Sequence, residues 1–432
     1  MNKKAIVIIT LILTIFLFSN GQVYNNAKSI SLANAYMMAA TGSNAIYWNP
    51  ALLANYTNNI TMNFGIIPIV PVNSINIVNN SINVSWLNRY FFSGLYLTDE
   101  IKNEMLSFIP GSGLNLAGFA NGQLIGMQVK NFAFAISLEV AGWGKIPKNV
   151  FEFVFMGSRI GDTIELSDVD ANAYGFISLD MGYGKRLKND LIEKIFESFS
   201  IGLSGRLILG IAHARPDYVS GSLTFLKEGI QANADTRVKI GLGGLGFSIG
   251  AGMAGKINDK IEVGLSFNNI ISNISWGLLK SYEKLIIYDK LIEPDEMFDE
   301  DIDSLLQLGV VIDTLIEDGE KFNSQLIPYI ILGGKFKPNE FMTTYFNLIQ
   351  PIGENLINSS SPVISSGIEI NSLGFFPIRF GLAIGGGYGI QWGSGFSLQR
   401  NRYSFDFGFY QNAGFFNHAK GFVIAFGHEF RF

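Results

Sequence analysis
The last eleven residues set the strongest constraint on this chain: Phe422, Ile424, Phe426, His428, Phe430 and Phe432 share one parity, while Val423, Ala425, Gly427, Glu429 and Arg431 take the other. Side chains alternate across an extended strand, so this pattern gives one aromatic face and one small or charged face. The alternation recurs in Phe199, Ile201 and Leu203 against Ser200, Gly202 and Ser204, and in Ile261, Val263, Leu265 and Phe267 against Glu262, Gly264, Ser266 and Asn268. Tyr403, Phe405, Phe407 and Phe409 repeat it, and Ile82, Val84 and Trp86 against Asn83 and Ser85 read as one more strand. Many such strands predict one closed antiparallel sheet.

Polarity then decides the solvent. A soluble barrel points its apolar parity at a packed core and needs charge on the other face. Here the second parity is Gly, Ser, Ala and Asn, and only 16 % of all residues are charged, against roughly 25 % in an average domain. The 48 glycines and 13 % aromatics fit lipid outside and a small-residue lumen within. A sheet can cross lipid only when it closes, because a free edge leaves backbone groups without partners. The expected fold is therefore an all-β transmembrane barrel in an outer membrane of Gram-negative type. With no cysteine, disulfides, thiolate metal sites and thiol catalysis are excluded.

Asn2, Lys3 and Lys4 followed by an apolar run over 5–18 and by Ser19, Asn20 and Gly21 read as a secretory signal peptide, residues 1–21. Residues 57–432 are left for the barrel. Short polar turns at 399–402, 371–373, 337–339 and 256–260 alternate with longer connections at 411–420, 350–361 and 278–326, with a tight outer turn at 385–387. At about 9 to 11 residues per strand plus connections, the length supports roughly 14 strands.

Residues 22–56 lack strand alternation. Asn49 suits a helix cap and Pro50 the first helical position, so this stretch reads as a tight turn into one or two helical turns, lying in the lumen as a hatch. Tyr47, Trp48, Asn49, Pro50 and Ala51 are its candidate functional residues. At these residues the chain resembles the FadL-like outer-membrane barrels, whose hatch carries an Asn-Pro-Ala element after a small-residue segment. The wider pattern looks more like a Bacteroidota-type branch of such barrels, a grouping that includes PorV-like proteins. The resemblance implies an internal hatch and a role in binding or passively passing small hydrophobic molecules. The alternative it carries is a scaffold or secretion partner that docks through its outer loops. Phe422, Phe426, Phe430 and Phe432 resemble the C-terminal signal read by the barrel-assembly machinery.

Residues 283–320 hold 13 acids and two bases, which leaves the rest of the chain net positive. Leu305, Leu306, Leu308, Val311, Ile312 and Leu315 predict an amphipathic helix in the second half of an acidic extracellular insertion spanning 278–325. Asp299, Asp301 and Asp303 are candidates for weak divalent binding only, since Ser304 and Val310 stand where a calcium loop needs Gly and Glu. Gly241, Gly243 and Gly246 match G-x-G-x-x-G but lie in an alternating strand, not in a dinucleotide-binding unit. The three histidines, His213, His418 and His428, accompany no G-x-S-x-G element. The reading is thus a non-enzyme without cofactor or resident metal, and without nucleic-acid partners.

Overall fold
A computed structural model describes residues 24–65, 72–293, 310–353 and 360–432. The signal segment, Asp299, Asp301, Asp303 and the three leucines at 305–308 lie outside the described residues.

Alternating strands joined to their neighbours in sequence form a ring of about 14. β1 has two arms, Ile60–Phe64 and Ser74–Asn79. Next come β2 (Leu114–Val129), β3 (Phe132–Ile146), β4 (Asp170–Leu187), β5 (Ser198–Phe225), β6 (Ile230–Asn258) and β7 (Ile261–Ile292). β8 (Tyr329–Phe336), β9 (Met342–Pro351), β10 (Val363–Ile370) and β11 (Ile378–Gly385) follow. β12 (Ile390–Arg400), β13 (Tyr403–Asn412) and β14 (Gly421–Arg431) complete the set. Both arms of β1 pair with β14 on one side and β2 on the other, which closes the ring.

The parity argument fixes the faces. On β5, Leu203, Leu207 and Leu209 are more than half exposed on the outside, whereas Ser200 is buried. On β7, Ser266 and Asn268 point inward and are buried. The tight turns at 130–131, 259–260 and 401–402 lie on one rim, with the start of β1 and the C-terminus. Short turns mark the periplasmic rim of such barrels, and the long connections lie on the outer one. No described helix is long and apolar enough to cross a membrane; the crossing is made by strands.

Two expectations are corrected. The alternating stretch around Trp86 is not a strand: Asn83 caps a short helix, Val84–Leu87, by accepting from the Trp86 amide at 2.8 Å. Trp86 is buried with Tyr90 and Met105 in a helical outer lobe. Nor is the described part of the acidic insertion helical. Val310–Glu317 is a strand pairing with residues 282–288 of β7. Its β-branched residues, Val310, Val311, Ile312, Thr314 and Ile316, favour a pleated edge over a helix. β5, β6 and β7, at 28, 29 and 32 residues, far exceed the roughly 9–11 residues that span lipid. The insertion therefore continues a sheet that stands above the membrane.

Candidate functional site
A barrel of this size is too wide for wall side chains alone to fill, since about eight strands is the limit for that. The lumen is filled instead by residues 24–55. The chain enters as α1 (Ala27–Ser31), closed by a capping box in which Asn26 and Ser29 exchange side-chain and backbone bonds. It reverses at Ala33 and Asn34, both in the left-handed region. It then runs through single 3-10 turns to α2 (Ala45–Trp48) and the 3-10 turn Pro50–Asn55.

The wall accommodates this segment by omitting side chains. A Cβ on Gly202 would collide with the backbone of Pro50 and Ala51, one on Gly381 with Leu32 and Ala33, one on Gly393 with Ile30, and one on Gly408 with Ala27. These glycines form a bed shaped to the hatch backbone.

The five sequence-derived hatch residues come together in the lumen. Asn49 is fully buried; its side chain accepts from the Ala51 amide at 3.0 Å and donates to the Met253 carbonyl of β6 at 3.0 Å. Pro50 supplies the first position of the turn that Asn49 caps. The Trp48 indole donates to the Tyr24 carbonyl at 3.1 Å and meets Tyr36 edge to face. Tyr47 stacks on Tyr24 at 4.1 Å, and its hydroxyl donates to Asp180 at 2.5 Å beside Ser137.

Tyr47 leads to a charged cluster that the sequence reading missed. Arg206 on β5 donates to Asp180 of β4 at 3.0 Å and to Ser178 at 3.2 Å, and faces Glu139 of β3 at 3.5 Å. Its guanidinium lies over the rings of Tyr47 and Phe176. A second cluster holds α1: Lys28 pairs with Glu429 at 3.3 Å and Asp406 at 3.6 Å, and Arg379 bridges Glu369 at 2.5 Å and Asp406 at 3.8 Å.

Cavities flank the hatch on both sides. On the outer side, a cavity of about 80 Å³ is lined by Tyr24, Ile46 and Tyr47 of the hatch and by Trp143, Tyr174 and Leu326, with Glu139 and Arg206 in its wall. Over it lies an aromatic layer of Phe176, Trp276, Phe322 and His213. Gly210, Gly241 and Gly244 leave room for Trp276, which gives the G-x-G-x-x-G stretch a packing role. His213 bonds Asn172 at 2.8 Å and is otherwise ringed by aromatics. On the periplasmic side a vestibule of about 520 Å³ is lined by Lys28, Tyr36, Arg186, Lys256, Arg379 and Arg431 among others. At its rim the Lys256 ammonium holds the Asp259 carboxyl below the usual carboxylate range.

Phe422, Phe426, Phe430 and Phe432 are not part of this site. Phe426 and Phe430 join Phe405, Phe407 and Tyr403 in an aromatic band on the outer wall, and Phe422 and Phe432 are exposed. His428 belongs to the same band through Tyr403, and His418 lies in the connection between β13 and β14.

The chain belongs to the DUF5723 family, a family of unknown function, whose model matches residues 50–278. No curated protein matches it in sequence. Among solved structures it is similar to the Ralstonia pickettii toluene transporter TbuX, at 9 % identity over 94 % of this chain and 98 % of that one, with a TM-score of 0.51. It is also similar to the deltaS2S3 mutant of the TodX monoaromatic hydrocarbon channel, at 8 % identity over 96 % and 100 % of the two chains, again with a TM-score of 0.51. The fold is thus that of these two barrels.

Proposed function
We propose that this protein is a passive outer-membrane channel for small hydrophobic molecules, in which residues 24–55 act as a hatch that moves during passage. The observation that carries the reading is the cavity between hatch and aromatic layer. An open porin has no plug, and a solid scaffold needs no internal cavity walled by Tyr24, Tyr47, Trp143, Tyr174 and Tyr329. The fold shared with a toluene transporter and a monoaromatic hydrocarbon channel supports the same ligand class.

A ligand would collect on the outer lobe, where Phe92 and Tyr96 are largely exposed, enter through the aromatic layer and pause above Tyr47. Benzene fills an apolar cavity of roughly 150 Å³, so the 80 Å³ seen here holds no such ring without movement of its walls. Displacement of Tyr47 to Ala51 then joins the cavity to the vestibule. In the same reading, the exposed Phe432 and the band of Phe422, Phe426 and Phe430 serve as the signal for the barrel-assembly machinery and as the contact with outer-membrane lipid.

Expression in a Gram-negative host lacking its own hydrocarbon channel, where lipopolysaccharide slows apolar solutes, tests the proposal. Initial uptake of radiolabelled toluene rises several-fold over that of vector-only cells. Uptake equal to the vector control would sink the channel reading.

A further inference from the structure
The outer cavity holds one guanidinium and an unequally paired set of carboxyl groups. Arg206 is the cation in its wall, and it faces two carboxylates, Asp180 and Glu139. Asp180 is fully buried and well supplied, accepting from Arg206 at 3.0 Å and from Tyr47 at 2.5 Å. Glu139 is placed differently. It lines the cavity, is 8 % exposed, and its contacts with Arg206 and with the Tyr174 hydroxyl are both 3.5 Å, the long limit for a hydrogen bond. Glu139 at the cavity surface is therefore the weakly paired carboxyl of the two, and a cation seated beside it would favour its ionised form.

Five aromatic residues share that surface: Tyr24, Tyr47, Trp143, Tyr174 and Tyr329. Ring faces attract cations, more strongly where water is excluded. The next cation outward, Arg215, is stacked on Phe322 at 4.7 Å, in the aromatic layer. The vestibule differs from the cavity in its balance. Lys28, Arg186, Lys256, Lys335, Arg379 and Arg431 meet Glu262, Glu369 and Glu429 in its lining, and Asp406, Glu197 and Asp259 pair with them from behind. The vestibule lining itself holds more cations than carboxylates, so the weakly paired carboxyl is peculiar to the cavity.

We propose that the cavity is a binding site for a small organic ammonium ion bearing an aromatic ring, held through charge by Glu139 and through ring faces by the tyrosines and Trp143. The inference rests on the channel reading and narrows its substrate class from neutral hydrocarbons to arylalkylamines. The ammonium end fits the cavity as it stands, and the ring is admitted by the same movement of the walls that a neutral aromatic guest requires.

Isothermal titration of the folded, detergent-solubilised protein with benzylammonium, benzyl alcohol and benzoate at equal ionic strength tests it. Benzylammonium binds roughly tenfold tighter than benzyl alcohol, and benzoate is the weakest. Glu139→Gln brings the ammonium-to-alcohol ratio close to one while still binding benzyl alcohol, which shows that the variant is folded; Glu139→Asp, which keeps the carboxyl group, keeps a ratio above one. A wild-type ratio near one overturns the inference yet leaves the channel reading standing, because the alcohol still binds. A ratio unmoved by Glu139→Gln also overturns it. Binding of none of the three removes both the inference and the channel reading.

Discussion

Tyr47 shows how much of the hatch is held by single groups. Its hydroxyl satisfies Asp180 and Ser137 at once, and its ring is clamped between Tyr24 and the Arg206 guanidinium. Tyr47→Phe keeps the ring and removes only the hydroxyl. Leaving a buried acceptor short of its partner costs roughly 1–3 kcal/mol, so the variant opens several-fold more often in planar-bilayer recordings. Equal opening frequencies would show that this contact does not restrain the hatch. The residues of this contact were unequally visible in the sequence. Asn49 and Pro50 announce themselves, because capping and N1 preferences are local chemistry. Asp180 and Arg206 stand out only as lone charges on a small-residue parity. Their pairing depends on the register between β4 and β5, which sets Asp180 opposite Arg206 and which alternation alone does not specify.

Among the elements, the strands owe their glycines to what lies inside them. In the sequence, glycine on the inner parity reads as a property of a polar lumen; in the structure it is the imprint of the hatch backbone and, near Trp276, of the aromatic layer. The two kinds of position respond differently to a methyl group. Gly205 faces outward with its nearest neighbour at 4.0 Å, so Gly205→Ala is neutral, whereas Gly202→Ala drives a Cβ into Pro50. Overpacking of this kind costs about 1–3 kcal/mol. Thermal unfolding reads the effect: the midpoint falls in Gly202→Ala and not in Gly205→Ala. The two misread elements failed for a common reason. Val84–Leu87 and Val310–Glu317 are short, and over so few residues apolar spacing fits both periods. Asn83 as a cap and the β-branched run beside β7 settled them.

At the level of the whole molecule, strand alternation, turn spacing and chain length were enough to give a closed ring of about 14 strands, because the lipid-facing parity repeats in every strand. That a segment fills the lumen follows from width; which wall residues grip it does not. Deleting residues 22–56 leaves that bed exposed to water and removes the hatch side of both charge clusters. The variant still closes its ring, as judged by heat-modifiable electrophoretic mobility, but its conductance rises many-fold and its thermal midpoint falls. Conductance equal to the wild type would mean that some other element closes the lumen. The grip on the hatch is divided along the chain. Pro50–Asn55 contacts β4, β5 and β6, whereas α1 contacts β11, β12, β13 and β14. The segment is thus secured at one end by strands from the first half of the chain and at the other by its last four strands. The seat of α1 is built entirely from those last strands, so docking of the hatch cannot be complete before the ring is.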